Sequence, residues 1–128
     1  MAKVVSFTNK KGGVGKTTTV VNMAAYCADF GKRMLLIDLD SQGNATTGMG
    51  FSKSALKKSV YNVLIEDEKV SANILPTQIP LLDILPANVD LTGAEVELVY
   101  KRNRDRILKT ALEEVKDRYD YIFIDCPP

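Results

Sequence analysis

The chain has 128 residues, 45% apolar and 26% charged, with 17 basic against 16 acidic side chains and a formal net charge of +1. This is the composition of a globular domain long enough to bury a core, and its charge balance argues neither for nor against a nucleic-acid partner. There is no histidine, which excludes His-based acid–base catalysis, the Ser-His-Asp triad and His-ligated zinc.

The two cysteines, Cys27 and Cys126, stand far apart and read as reduced structural thiols rather than a redox or cluster pair. No apolar run approaches the roughly 20 residues that cross a bilayer, and no signal peptide precedes the first strand, so a cytoplasmic protein with no membrane role is expected.

In chain order, Lys3 to Thr8 is short and β-branched, as buried parallel strands are. From Asn9 to Thr19 the chain reads Asn-Lys-Lys-Gly-Gly-Val-Gly-Lys-Thr-Thr-Thr. Gly12, Gly13 and Gly15 let the backbone turn tightly, so that several N–H groups can converge. The helix expected from Lys16 to Asp29 adds its unpaired N-terminal donors and positive dipole end at the same place. Lys16 supplies a full charge and Thr17 a hydroxyl suited to magnesium. This is a phosphate cradle, although Lys10 stands where Gly-x4-Gly-Lys-Ser/Thr has its first glycine.

That helix is apolar or small nearly all round and should be largely buried, with Gly31 as its left-handed cap. Met34 to Ile37 reads as a second buried strand ending in Asp38-Leu39-Asp40, which completes a βαβ unit. Ligands of such sheets bind beyond the carboxyl ends of the strands, where the glycine loop and this Asp-Leu-Asp both lie.

Ser41 to Ser54 is rich in Gly, Ser, Thr and Asn and reads as a loop. Ser59 is placed to cap a helix from Val60 to Glu66, and two extended pieces follow at Asn73 to Pro76 and Leu81 to Leu85. Thr92 and Glu95 suit a capping box for a helix reaching Tyr100, and a further amphipathic helix is expected from Arg104 to Arg118. Lys101, Arg102, Arg104 and Arg106 there read as a solvated helix start.

Tyr121 to Asp125 is an apolar strand closed by a carboxylate, the Walker B pattern, in which Asp125 holds Mg²⁺ directly or through water. Asp38 is a further candidate at the metal, supporting its shell or the loop, and Asp40 a candidate for orienting the attacking water. The fold expected is α/β: a mostly parallel twisted sheet with helices on both faces, of P-loop NTPase type. Because the chain ends three residues after Asp125, residues 1–128 read as the N-terminal part of a single P-loop ATPase domain.

Lys11-Gly12-Gly13-Val14-Gly15-Lys16-Thr17-Thr18 resembles the deviant Walker A motif of the ParA/MinD family of ATPases, in which the earlier lysine is the signature residue. Asp38 to Thr46 is similar to the Walker A′ segment of ParA and Soj partition ATPases, with Ser41 where these usually have Pro. Ile122 to Pro128 resembles their Walker B segment, and Leu85 to Asn88 with Leu91 to Glu95 their middle region. MinD itself lacks the Gln-Gly-Asn-Ala-Thr run.

The resemblance implies an ATP- and Mg²⁺-dependent dimer switch for chromosome or plasmid partitioning. In it the loop from Lys11 to Thr18 binds ATP: Lys16 takes the β- and γ-phosphates, Thr17 ligates Mg²⁺ and Thr18 reaches the α-phosphate. Lys11 crosses the homodimer to the partner's nucleotide, the task of an arginine finger. Nonspecific DNA, bound mainly outside this segment, and a ParB-type protein that stimulates slow hydrolysis are the implied partners, at a nucleoid-associated location in the cytoplasm. The alternatives are a MinD-like division-site ATPase and a metabolic P-loop ATPase of the same superfamily.

Overall fold

The computed structural model describes residues 1–8, 14–40, 42–88 and 103–127. Its strands are β1 (Lys3–Phe7), β2 (Met34–Asp38), β3 (Leu75–Pro76), β4 (Leu82–Leu85) and β5 (Tyr121–Asp125). They form one sheet in the order β1-β5-β2-β4-β3. β1, β5, β2 and β4 run parallel, and β3 closes one edge antiparallel to β4.

The apolar runs sort by the period of two of an extended chain. From β2, Leu35 and Ile37 enter one core with Leu39, while Met34 and Leu36 enter the other; Ile122 and Ile124 of β5 part from Phe123 in the same way. Helices α1 (Val14–Asp29) and α2 (Asn44–Gly48) lie on the Leu36 side. Helices α3 (Val60–Leu64) and α4 (Arg104–Leu112) lie on the Ile37 side. Helices therefore cover both faces. Each fully buried Leu or Ile here contributes about 1.5–3 kcal/mol over an exposed one.

The sequence placed the strands well and the helices less so. α1 begins at Val14 and packs Val20, Ala24 and Ala28 onto the sheet with Val21 and Cys27 partly buried beside them; Met23 and Tyr26 on its other side, and Phe30 just past its end, are exposed. Gly31 is left-handed at φ 85° and ends it as expected. The stretch read as a loop from Ser41 to Ser54 holds α2, and a 3₁₀ turn at Lys53–Ala55 begins at its end.

Ser59 does not cap α3 through its hydroxyl, which contacts Asn62 Oδ1 instead. α4 stops at Leu112 because the chain tightens into i→i+3 bonds at Glu113 and Val115, although Val115 stays in the core. The helix expected from Thr92 to Tyr100, with Lys101 and Arg102, lies outside the described residues, as do Asn9 to Gly13. β1 lies at the sheet edge with Val4 and Val5 exposed, beside an apolar groove formed with Leu108, Leu112 and Ile124. Among the described residues, no helix is long and apolar enough to cross a membrane.

Candidate functional site

At the carboxyl edge of the sheet, Cys126 N–H donates to the Phe7 carbonyl at 3.0 Å, which sets the exit of β5 beside the exit of β1. The first turn of α1 stands over that exit. Thr17 Oγ1 donates to Asp125 Oδ2 at 2.9 Å, and Lys16 Nζ lies 2.6 Å from Asp125 Oδ1 while also donating to the Cys126 carbonyl. Asp125 is completely buried, and the Lys16 ammonium against Oδ1 is the charge that makes its burial tolerable.

Asp38, at the end of β2, is in register with Asp125 and equally buried. Its surroundings differ. Oδ1 accepts the Asp40 N–H at 3.2 Å, and Oδ2 accepts both the Thr46 N–H at 2.9 Å and the Thr46 hydroxyl at 2.7 Å. Burial pushes the Asp38 carboxyl up to about 6, against the lowering effect of these donors; the nearby Asp125 charge adds to the rise.

The turn beyond β2 is fixed through Asp40. Its Oδ1 accepts the Gln42 N–H at 3.0 Å and its carbonyl accepts the Gly43 N–H at 2.9 Å, a turn closed by its own aspartate. Gly43 is left-handed at φ 65°, and a Cβ there would run into the Lys53 side chain, whose ammonium holds the Gln42 carbonyl. The Thr46 hydroxyl also accepts the Ala87 N–H at 2.9 Å, from the chain just past β4.

A lysine, a threonine hydroxyl and a buried strand-end carboxylate thus converge above the carboxyl ends of parallel strands. A family model described as an AAA domain matches residues 2–128. The chain belongs to this family.

Sporulation initiation inhibitor protein Soj of Bacillus subtilis is 52% identical over 128 residues, covering all of this chain and 51% of Soj. Chromosome partitioning protein ParA of Myxococcus xanthus is 44% identical over the same length, with 45% of it covered. Among solved structures, cobyrinic acid a,c-diamide synthase from Mycobacterium smegmatis, with bound ATP analog and magnesium, superposes with a TM-score of 0.90 at 41% identity. The match covers 100% of this chain and 52% of that one. The resemblance to ParA and Soj partition proteins thus runs the whole length of this AAA domain, which spans about half the length of the curated relatives it matches.

Of the residues singled out from sequence, Lys16, Thr17 and Asp125 meet one another in this AAA domain, and Asp38 and Asp40 meet at the adjoining strand end. Gly15 and Thr18 lie in the first turn of α1 beside them, and Val14 begins that helix. Lys11, Gly12 and Gly13 lie outside the described residues.

The donor set fits a magnesium ion that shares its shell with phosphates. The Thr17 hydroxyl and the Asp125 carboxylate stand together as two hard oxygen ligands, with the Lys16 ammonium beside them to balance charge, and among the described residues no cage of three acidic or cysteine side chains competes with them. Sequence reasoning overlooked Thr46 as an individual residue. Its partners lie 8 and 41 positions away, and no local periodicity links them.

Proposed function

We propose that this domain binds Mg-ATP and hydrolyses it slowly, as the switch half-site of a ParA/Soj-type partition ATPase. The observation that carries the reading is the convergence of Lys16 and Thr17 on buried Asp125 at the carboxyl edge of the sheet. Lys11 to Thr18 cradle the triphosphate, with Lys16 on the β- and γ-phosphates and Thr18 on the α-phosphate. Thr17 and Asp125 hold the metal, and Asp38 supports it from behind. Magnesium, when bound, neutralises charge on the phosphates. Asp40 orients the attacking water, and Lys11 reaches the nucleotide of a second protomer.

In this reading residues 1–128 are part of one P-loop ATPase domain. ATP binding drives homodimerisation, the dimer binds DNA nonspecifically over the nucleoid in the cytoplasm, and a ParB-type protein triggers hydrolysis. The Gln42-Gly43-Asn44-Ala45-Thr46 run supports the partition branch over the metabolic one.

The test is an ATPase assay on the intact protein with calorimetry of Mg-ATP binding. Asp40→Ala is expected to keep nucleotide affinity and lose roughly 10²–10⁴-fold in turnover, the range set by losing a positioned proton acceptor. Normal turnover in that variant removes Asp40 from the mechanism. Lys16→Ala is expected to abolish Mg-ATP binding, and unchanged affinity refutes the cradle.

A further inference from the structure

We propose that Thr46 is a positioning residue for hydrolysis, acting on Asp40 through Asp38 and tying both to the chain leaving β4. The inference rests on the assignment of Asp40 to the attacking water. Thr46 is completely buried, and its hydroxyl is used in both directions: it donates to Asp38 Oδ2 and accepts the Ala87 N–H. Its own N–H donates to the same Asp38 oxygen.

Asp38 is thereby held in one orientation, with Oδ1 left to receive the Asp40 N–H. The Asp40 backbone is anchored at that bond, and its carboxylate is turned by the Gln42 N–H. On the far side, the Pro86 carbonyl receives the Val60 N–H at 2.8 Å, so the segment that Thr46 grips is itself fastened to the start of α3. One buried hydroxyl therefore joins three otherwise separate parts: the end of β2, the helix α2 and the exit of β4.

Thr46→Val keeps the shape of the side chain and removes the hydroxyl. The Ala87 N–H loses its acceptor, Asp38 loses a donor, and the Asp40 anchor is free to shift. A misplacement of about 1 Å at a reacting group is enough to cost roughly 10²-fold in rate.

In the intact protein, Thr46→Val is expected to lower kcat at least about 10-fold while KM for Mg-ATP stays within about threefold, the mark of an interaction that counts only in the transition state. Thr46→Ser, which restores the hydroxyl, is expected to return kcat to within about threefold of wild type. The amide NMR signals of Asp40 and Gln42 are expected to move in the valine variant and not in the serine variant.

A folded Thr46→Val protein with wild-type kcat overturns the proposal, as does a serine variant no better than valine. Should valine prevent folding, Asp38→Asn is the second variant. With only one acceptor end, the amide must face its NH2 either to the two Thr46 donors or to the Asp40 N–H, so one link of the chain from Thr46 to Asp40 is cut either way; the same selective loss of kcat is expected, and unchanged turnover refutes the idea. Asp40→Ala in parallel separates the two readings. If it turns over normally, the assignment of Asp40 fails; if it stalls while Thr46→Val is normal, only the role of Thr46 fails.

Discussion

Asp38 and Asp125 sit side by side in register at the ends of adjacent strands, both fully buried, yet they are held by different kinds of donor. Asp125 is engaged by two side chains of α1, Thr17 and Lys16, which belong to the proposed nucleotide site. Asp38 is engaged by two backbone amides and a buried threonine hydroxyl, which have nowhere else to go. Exchangeable partners suit a carboxylate that must receive a metal. Fixed partners suit one that holds a loop. Burial and position in the sheet do not separate the two roles; the donors do.

The strongest way to break this contrast is to remove the charge that balances Asp125. Lys16→Met keeps most of the packing but leaves a buried carboxylate without its cation, and should cost about 3 kcal/mol in urea denaturation without nucleotide. A loss under about 1 kcal/mol would mean that Asp125 finds another partner and that its pairing with Lys16 is incidental.

Next in size is Asp38→Asn, which sets an amide NH2 against either the Thr46 donors or the Asp40 N–H. It should cost about 2 kcal/mol, the penalty of buried donors left without an acceptor. The contrast sharpens when magnesium is titrated in with nucleotide: the rise in Tm should vanish in Asp125→Asn and persist in Asp38→Asn. Loss of the rise in both would place Asp38 directly on the metal.

The turn that carries Asp40 offers a smaller test. Gly43→Ala puts a Cβ on a left-handed residue, at about 1–2 kcal/mol, and also displaces Lys53 from over the turn. Thermal denaturation measures that cost. An alanine variant as stable as wild type would show that the turn can open without strain.

What the sequence made legible follows the same division. Lys16, Thr17 and Asp125 could be found because each sits in a short pattern, glycine loop before helix and apolar strand before aspartate, that its own chemistry requires. β2 was legible too, since Met34 to Ile37 is apolar on both faces and is buried on both. β1 looks equally apolar, but Val4 and Val5 are exposed, because burial depends on what lies beside a strand and the strand's own residues do not specify it. Nor do they specify the Thr46–Ala87 bond, which only the parallel neighbours β2 and β4 bring together. The composition of α1 does not separate its buried small residues from its aromatic ones; Tyr26 and Phe30 pack edge to face on each other at its exposed end.

The smallest expected effect comes from the opposite ends of the same two strands. Just before β2, Arg33 donates from its backbone N–H and its guanidinium to Asp120, which stands just before β5. This pair is exposed, with side chains 51% and 35% accessible against 8% and 0% for Lys16 and Asp125. Hydrogen bonds from Arg33 hold the Asp120 carboxyl below the usual carboxylate range. The native state therefore binds this proton less readily than the unfolded chain. The resulting stability is complete above the unfolded carboxylate pKa of about 3.9 and is lost as pH falls through the lower native value. Ser71 lowers Glu114 in the same direction, so Asp120→Asn should flatten only part of the acid limb of a stability–pH curve and change nothing near neutrality. The flattening should also shrink in high salt, because water and ions screen this pair. An Asp120→Asn effect that survived high salt, or that appeared at neutral pH, would mean that the neutral hydrogen bonds at this corner, and not the charges, join the two strands.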